Sequence, residues 1–309
     1  MLANLLPRHL RPLQPAAAAD GDVLVSPWHD LPFVGEGHTA EDGVVTMVCE
    51  IPMGTSAKIE VRPDKRGNPL VQVLARPRRP PRPRYPPRPA AGARRPPCPP
   101  RAQDALADGS LRYLPEPMGW NYGMVPQTWE APAHVDFPGT PAALAGAVVG
   151  DGDPLDVIEV SGEPMAPGSV HAVKVLGAIP LIDSGEMDWK LVTLRADHAL
   201  APRVHGLADL EREMPGEMGR AMEYFETYKM GQGGERNTIA NWGEPLGRDE
   251  ALAVLADVRG QWERALAAKR CVPSRRRSIA VSVEGVHICD TECCWGVHLA
   301  TGPGGHDEL

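Results

Sequence analysis

The sequence predicts an α+β fold, because its strand-like segments come first along the chain and its helical periodicity comes last. Polar and apolar residues alternate in residues 44–61, and short β-rich runs bounded by Gly, Pro or Asp follow this stretch. An apolar repeat every three or four residues appears only on the C-terminal side. Strands followed by helices are typical of α+β architecture rather than of an alternating parallel sheet.

The first predicted strands lie in residues 44–61, where a Pro-Met-Gly-Thr turn at 52–55 separates two segments. Thr46, Val48 and Glu50 share one face of the first segment, and Lys58 and Glu60 share one face of the second. The later strand-like segments are 111–114, 157–160, 170–176 and 191–194.

The helix predictions cover two stretches. Residues 207–230 are expected to form two short helices broken at Pro215-Gly216. A longer helix is expected behind Asp249, which is a candidate N-cap residue. Its apolar repeat consists of Leu252, Leu255, Val258, Trp262 and Leu266.

Composition excludes several classes of protein. The chain has 309 residues, of which 42% are hydrophobic, so a wholly disordered chain is excluded. No apolar run approaches the ~20 residues that a membrane span needs. Residues 76–101 hold eleven prolines and nine of the 32 basic side chains, which leaves 23 basic against 40 acidic side chains elsewhere. A strongly acidic remainder argues against non-specific nucleic-acid binding and indicates either a very soluble surface or a site that holds cations.

These features divide the chain into four parts. Residues 1–25 are predicted to be a flexible or transit-like extension, and residues 26–270 the main domain. An Arg/Pro-rich insert at 73–103, expected to be disordered, interrupts that domain. The tail at 271–309 contains cysteines and is also expected to be disordered.

The cysteine pattern indicates a reducing compartment. Cys49 alone lies in the patterned part of the chain, so no disulfide framework is expected. The spacing of the tail cluster departs from the usual zinc-ligand pairs, so an unstructured tail is favoured over a zinc site. That cluster consists of His287, Cys289, Cys293, Cys294 and His298.

The strongest local signal is an acidic turn that contains Asp151, Asp153 and Asp156 around Pro154. In an extended segment Asp151 and Asp153 point to the same side, and Pro154 then turns the chain so that Asp156 reaches the same volume. Carboxylates packed this closely have raised pKa values unless a cation is present, and Mg²⁺ favours such oxygen ligands. Taken alone, the motif is either a metal site or a solvated turn, since its order does not fit an EF-hand.

A second acidic turn favours the metal site. Asp183, Glu186 and Asp188 follow another strand-like run and are accompanied by Lys190. Two such turns at strand ends predict a shared cavity filled by ions. Basic and phenolic side chains suited to phosphate oxygens are Lys58, Arg112, Lys190, Tyr228 and Lys229.

With these motifs the chain resembles the family I soluble inorganic pyrophosphatases in their longer, eukaryotic-type form. The D-x-D-P-x-D signature is carried by Asp151, Asp153, Pro154 and Asp156. The resemblance covers roughly residues 26–72 and 104–268. Its other motifs are Trp28-His29-Asp30, Glu50 to Pro52, Lys58 to Glu60, Asn121 to Gly123, Pro126 to Glu130, Asp183 to Lys190 and Tyr228-Lys229.

The resemblance implies a Mg²⁺-dependent hydrolysis of inorganic pyrophosphate to two phosphates, on a five-stranded OB-like β-barrel with C-terminal helices packed outside it. It further implies several Mg²⁺ ions per site, a homodimer, and no nucleic-acid or membrane partner. The implied Mg²⁺ ligands are Asp151, Asp156, Asp183, Asp188, Glu60 and Glu50. The implied phosphate-binding residues are Lys58, Arg112, Tyr122, Lys190, Tyr228 and Lys229. Asp153 would position and deprotonate the attacking water, and Tyr122 is counted with it as catalytic.

The insert at 73–103 has no counterpart in that family. Joining Gln72 directly to Asp104 restores a family-like run. The insert and the tail are therefore interpreted as a retained intron or gene-model artefact. The alternatives for the insert are a proline-rich ligand for an SH3-type domain and an anion-binding arm. Two other functions stay open: a catalytically impaired pyrophosphatase-like subunit, and an OB-type binding module, whose basic and aromatic platform the sequence lacks. The expected compartment is the cytoplasm, with a plastid or other organelle as the alternative.

Overall fold

A computed structural model describes residues 25–61, 68, 70–72, 112–133, 135 and 137–267, and beyond these only the backbone of four short strands. The strands are β1 (Val44–Ile51), β2 (Ile59–Val61), β3 (Leu70–Gln72), β4 (Asn121–Met124), β5 (Val149–Gly150), β6 (Asp156–Glu159), β7 (Val170–Asp183), β8 (Glu186–Arg195) and β9 (Thr238–Ile239). The helices are α1 (Leu207–Glu213), α2 (Glu217–Thr227) and α3 (Arg248–Ala267).

Five of these strands close into a ring. β1 pairs with β4 and β7, β4 pairs with β6, β6 pairs with β8, and β8 returns to β7. Only the β6–β8 pair is parallel among these five pairings. β5 and β9 extend the sheet as short additions to β8 and β7, and β2 pairs with β3 separately. The ring, with its helices later in the chain, confirms the predicted α+β class and the five-stranded barrel.

The backbone beyond α3 forms β10 (Val272–Pro273), β11 (Ser282–Val283), β12 (Val286–Thr291) and β13 (Cys294–Leu299), in a separate antiparallel sheet. The side chains of the cysteine and histidine cluster in this tail lie outside the described residues, as do residues 1–24 and 73–111. The predicted division of the chain into extension, domain, insert and tail therefore stays a prediction.

Strand β7 is twice as long as the sequence predicted. The prediction ended at residue 176, because Gly177 and Pro180 are usual strand terminators. The pairing with β8 shifts by one residue at Gly177, and the ladder then continues to Asp183. A Cβ at position 177 would lie 2.6 Å from the Leu246 carbonyl oxygen, so glycine serves a close backbone approach there and does not end the strand.

The helices follow the sequence prediction, apart from the start of α3. α1 and α2 are separated at Pro215-Gly216, where Gly216 has a φ of 81°. α3 begins at Arg248, so Asp249 lies in its first turn and the predicted N-cap was wrong. The Gly247 N–H donates to the Glu250 carboxylate at 2.9 Å, which satisfies a backbone donor at the helix start.

The helices cover opposite faces of the barrel strands. Leu255 and Val258 of α3 pack in the cluster that contains Val173 and Val175 of β7. Leu210 of α1 and the α2 residues pack in a second cluster, on the face that carries Ile158 and Val192. A third cluster, around Trp28, packs against Val48 of β1.

Within the described part of the chain, no helix is long and apolar enough to cross a bilayer.

His29 lies between two indole rings and is half-buried. Its ring stacks on Trp28 at 4.7 Å between centroids, and the Trp262 indole N–H donates to His29 Nδ1 at 3.0 Å. An imidazole that accepts this hydrogen bond is neutral at that nitrogen. Burial lowers the pKa of His29 to about 4, because the charged form loses its hydration.

This shift predicts an acid-dependent loss of stability. The unfolded chain binds a proton at His29 near pH 6.5, whereas the folded chain does so only near pH 4. Stability is therefore fully present above pH 6.5, and about 3 kcal/mol is lost as the pH falls to about 4. Urea unfolding of the wild type and of His29→Phe should be measured from pH 7.5 to 4. The unfolding free energy of the wild type should fall more steeply with decreasing pH than that of the variant. Parallel stability curves for the two proteins would contradict the prediction.

Candidate active site

The Asp151–Asp156 turn is held by backbone hydrogen bonds to Glu130. The Gly152 N–H donates to the Glu130 carbonyl at 2.8 Å, and the Glu130 N–H donates to the Asp153 carbonyl at 2.9 Å. Gly152 has a φ of 85°, and the Asp153 N–H donates to Asp151 Oδ1 at 2.9 Å. The segment is a turn closed by the Asp151 side chain, so the expected extended geometry was wrong. A carboxylate that accepts from the backbone two residues ahead favours the turn over a strand.

Asp156, Lys190 and Tyr122 meet on adjacent strands. Asp156 of β6 lies directly opposite Lys190 of β8 in the parallel ladder, and β4 on the other side of β6 carries Tyr122. Lys190 Nζ donates to the Tyr122 hydroxyl at 3.1 Å and to the carboxylates of Asp156 and Asp188. The Tyr122 hydroxyl also donates to Asp156. Lys190 is only 3% exposed, and its two carboxylate partners outweigh the effect of burial, so its pKa lies well above the usual range.

The second acidic turn is the β7–β8 hairpin. Its tip residues Ser184 and Gly185 both have positive φ values, which fits a two-residue hairpin turn. Asp183 accepts hydrogen bonds from the Tyr228 hydroxyl at 3.0 Å and from Lys229, which follow α2 directly. Burial would raise the pKa of Asp183, but the Lys229 ammonium outweighs it, so the pKa is lowered.

The two acidic turns adjoin each other through β5. Gly150 of β5 pairs with Met187 of β8, which places Asp151 beside Asp188. Carboxylate oxygens of Asp151, Asp188 and Glu130 all lie within 4.8 Å of one another. The structure thus brings together the aspartates of both turns, together with Tyr122, Lys190, Tyr228 and Lys229.

Glu130 is the member of this group that the sequence analysis missed as a site residue. It is 3% exposed, and its Oε1 has no hydrogen-bond partner among the described residues. No sequence signal marked this side chain, because it lies between Trp129 and Ala131 and belongs to no acidic run. The motif that contains it was recognised, but no role was given to this side chain.

The pKa values of the three clustered carboxyl groups are all raised. Burial, followed by repulsion from neighbouring carboxylates, raises the pKa of Glu130 and of Asp151 well above their usual range. Burial also raises the pKa of Asp188 to about 7, although Lys190 opposes the shift. Like charges held this close are stabilised by a cation with a preference for oxygen ligands. The donor set therefore fits a hard divalent metal ion.

Four other predicted residues lie on or near β1 and β2. Lys58 Nζ lies 2.7 Å from Glu60, the Lys58 N–H donates to the Arg112 carbonyl at 3.1 Å, and Glu50 accepts from the Val61 N–H at 2.6 Å. Glu50 is on β1, whose residue Ile51 pairs with Tyr122. These contacts tie Lys58 to Glu60 and Arg112, and Glu50 of β1 to the backbone of β2. The metal or phosphate roles of these residues stay predictions.

Fold and site together define a class of protein. A five-stranded barrel carries clustered carboxylates that can hold divalent cations, beside lysine and tyrosine side chains that can bind phosphate oxygens. This combination is that of a metal-dependent hydrolase of phosphate compounds.

Comparison with known proteins gives the family. The family described as inorganic pyrophosphatase matches residues 47–263, and the chain belongs to this family. It is 33% identical over 266 residues to the inorganic pyrophosphatase of Schizosaccharomyces pombe, covering 84% of this chain and 78% of that protein. It is 32% identical over 234 residues to the chloroplastic soluble inorganic pyrophosphatase 1 of Chlamydomonas reinhardtii, and this match covers 75% of this chain and 68% of that protein.

The solved structures agree with this assignment. The crystal structure of the type I inorganic pyrophosphatase from Toxoplasma gondii matches with a TM-score of 0.63 and 32% identity, covering 78% of this chain and 88% of that one. The five-stranded barrel is thus the OB-like barrel that the resemblance implied, and the recognition of the family is confirmed.

Proposed function

We propose that the protein hydrolyses inorganic pyrophosphate to two phosphates by direct attack of water. The observation that carries the proposal is the contact of the ammonium group of Lys190 with the half-buried carboxylate of Asp156 and the buried carboxylate of Asp188. The same site thus holds the negative groups that metal ions need and the positive group that a phosphate oxygen needs. Membership of the inorganic pyrophosphatase family supports the choice of substrate.

Magnesium is the proposed metal, because oxygen-only ligand sets with several carboxylates and room for phosphate oxygens suit it. The proposed ligands are Asp151, Asp156, Asp183 and Asp188, with Glu60, Glu50 and the newly found Glu130. When bound, Mg²⁺ would neutralise phosphate charge and lower the pKa of water. The unpartnered Oε1 of Glu130 supports its inclusion in this set.

The cationic and phenolic groups are proposed to bind the two phosphoryl groups. Lys190, Tyr228 and Lys229 now contact carboxylates, and cations at those carboxylates would release them for phosphate oxygens. Lys58, Arg112 and Tyr122 complete the proposed set. Asp153 is proposed to take the proton of the attacking water, since it lies in the turn beside Asp151 and is half-buried.

We further propose a homodimer that works in the cytoplasm, or in a plastid if residues 1–25 act as a transit segment. The chloroplastic relative supports the second compartment. An acidic site opposes an OB-type nucleic-acid module, because such modules need basic and aromatic surfaces. A phosphate-release assay distinguishes a catalytically impaired subunit from an active enzyme.

The decisive experiment is phosphate release from pyrophosphate by the full-length chain. Release is expected with Mg²⁺ and is expected to stop when a chelator removes the metal. ATP in place of pyrophosphate is the control for general phosphoanhydride hydrolysis. A folded chain that releases no phosphate with Mg²⁺ would exclude the proposed activity and favour the impaired subunit.

The metal site gives a prediction that does not depend on activity. Saturating Mg²⁺ should raise the melting temperature by several degrees, because it binds the folded carboxylates and relieves their repulsion. Glu130→Gln should reduce this increase at least by half. Glu217→Gln is the matched control, since Glu217 is equally buried but contacts Trp120 and Arg220. An equal increase in both variants would remove Glu130 from the metal site.

A further inference from the structure

Phe225 of α2 lies among three proposed phosphate-binding residues from different elements. Its ring centroid is 6.4 Å from that of Tyr122 on β4 and 6.5 Å from that of Tyr228. Lys190 Nζ of β8 lies 5.8 Å from the same centroid. The ring therefore borders each of these side chains while offering no group that could take part in the chemistry.

Two further aromatic side chains, Trp120 and Tyr224, pack against the Phe225 ring. Phe225 is 3% exposed and stacks against Trp120 at 6.5 Å, with an angle of 22° between the ring planes. The Trp120 indole N–H donates to Glu217, the first residue of α2. Tyr224 packs edge-on against Phe225 at 5.3 Å and stacks on Tyr228. This contact network joins α2 to the barrel and leaves Phe225 little freedom to move.

From this geometry we infer that Phe225 is a positioning residue that sets the directions of Lys190, Tyr122 and Tyr228 for binding the two phosphoryl groups. The inference rests on the proposed function. An ammonium group within about 6 Å of an aromatic face is attracted to it, and more strongly when water is excluded. When phosphate replaces a carboxylate as the partner of Lys190, the ring keeps the ammonium in place. The flanking tyrosines are held by the same ring edges and faces.

The test compares Phe225→Leu with Phe225→Tyr, which keeps the ring, and with Leu210→Ala. Leu210 is a fully buried residue of α1 in the same apolar cluster and reports the effect of general destabilisation. At saturating Mg²⁺, Phe225→Leu should raise KM for pyrophosphate about tenfold while kcat changes less than about threefold. The inhibition constant of inorganic phosphate should rise by a similar factor. Phe225→Tyr should stay within about twofold of the wild type in both constants.

Leu210→Ala should lower the melting temperature and leave KM within about twofold of the wild type. An unchanged KM in Phe225→Leu, or an equal rise in Leu210→Ala, would overturn the positioning role while the proposed function stands. A wild-type chain without phosphate release would instead overturn the proposed function. The comparison holds even where Phe225→Leu is as unstable as Leu210→Ala, because KM is measured on both.

Discussion

Asp153→Asn is expected to lower kcat for pyrophosphate by about 10²–10⁴-fold, the usual loss when a general base is removed. Asparagine has almost the same shape and keeps the backbone N–H that donates to Asp151, so the turn should fold unchanged. It cannot, however, accept the proton of the attacking water. The measurement is the phosphate-release rate at saturating pyrophosphate and Mg²⁺, across pH 6 to 9.

Metal binding provides the control for this variant. The Mg²⁺-dependent rise in melting temperature should persist in Asp153→Asn, which separates the loss of a base from the loss of a metal site. Asp197→Asn is the matched change, since Asp197 is an exposed partner of Arg195. It should leave kcat within about twofold of the wild type, as surface substitutions usually do. A kcat of Asp153→Asn equal to that of the wild type would show that Asp153 is not the general base.

Lys190→Met is expected to cost about 3–5 kcal/mol of unfolding free energy in the presence of a chelator. The methionine retains most of the volume of the lysine stem but removes the ammonium group from the half-buried carboxylate of Asp156 and the buried carboxylate of Asp188. Those carboxylates are then left close together without a positive partner. Urea unfolding measures the loss, and added Mg²⁺ should restore part of it because cations take the place of the ammonium group.

Two further variants show whether the loss comes from charge. Lys174→Met is the same change on β7, where the ammonium group contacts the Ala201 carbonyl and His205. It should cost less than about 1 kcal/mol. Adding Asp188→Asn to Lys190→Met should recover stability, since the pair is coupled. Equal losses for Lys174→Met and Lys190→Met would show that the buried charges are not the cause.

The fold was largely predictable because its elements are local. The helix break at Pro215-Gly216 follows from backbone restrictions of those two residues alone. The length of β7 was not predictable in this way. Gly177 ends a strand in most contexts, and here the partner strand β8 continues the ladder past it. The start of α3 at Arg248 likewise depends on Glu250 rather than on the expected Asp249.

The sequence predicted most of the residues of the site, but it did not predict how they are arranged in space. The motifs that contain Asp151 and Asp183 were visible, but their meeting depends on β5 pairing with β8, a two-residue contact without a sequence signature. Glu130 was missed because one carboxylate in a loop has no spacing that marks it. Its backbone bonds to the Asp153 turn and its unpartnered oxygen exist only in the folded chain.

The closed ring also makes the strand registers at the site independent of one connection in the chain. β4, β6 and β8 are each paired on both sides by other ring strands, so those pairings fix their registers without help from the stretch between Gln72 and Arg112. Added length in that segment costs only a slowly growing loop entropy and does not shift Asp156 against Lys190. This connection is therefore a natural place to graft a reporter or an affinity segment, provided that Arg112 stays attached to Lys58.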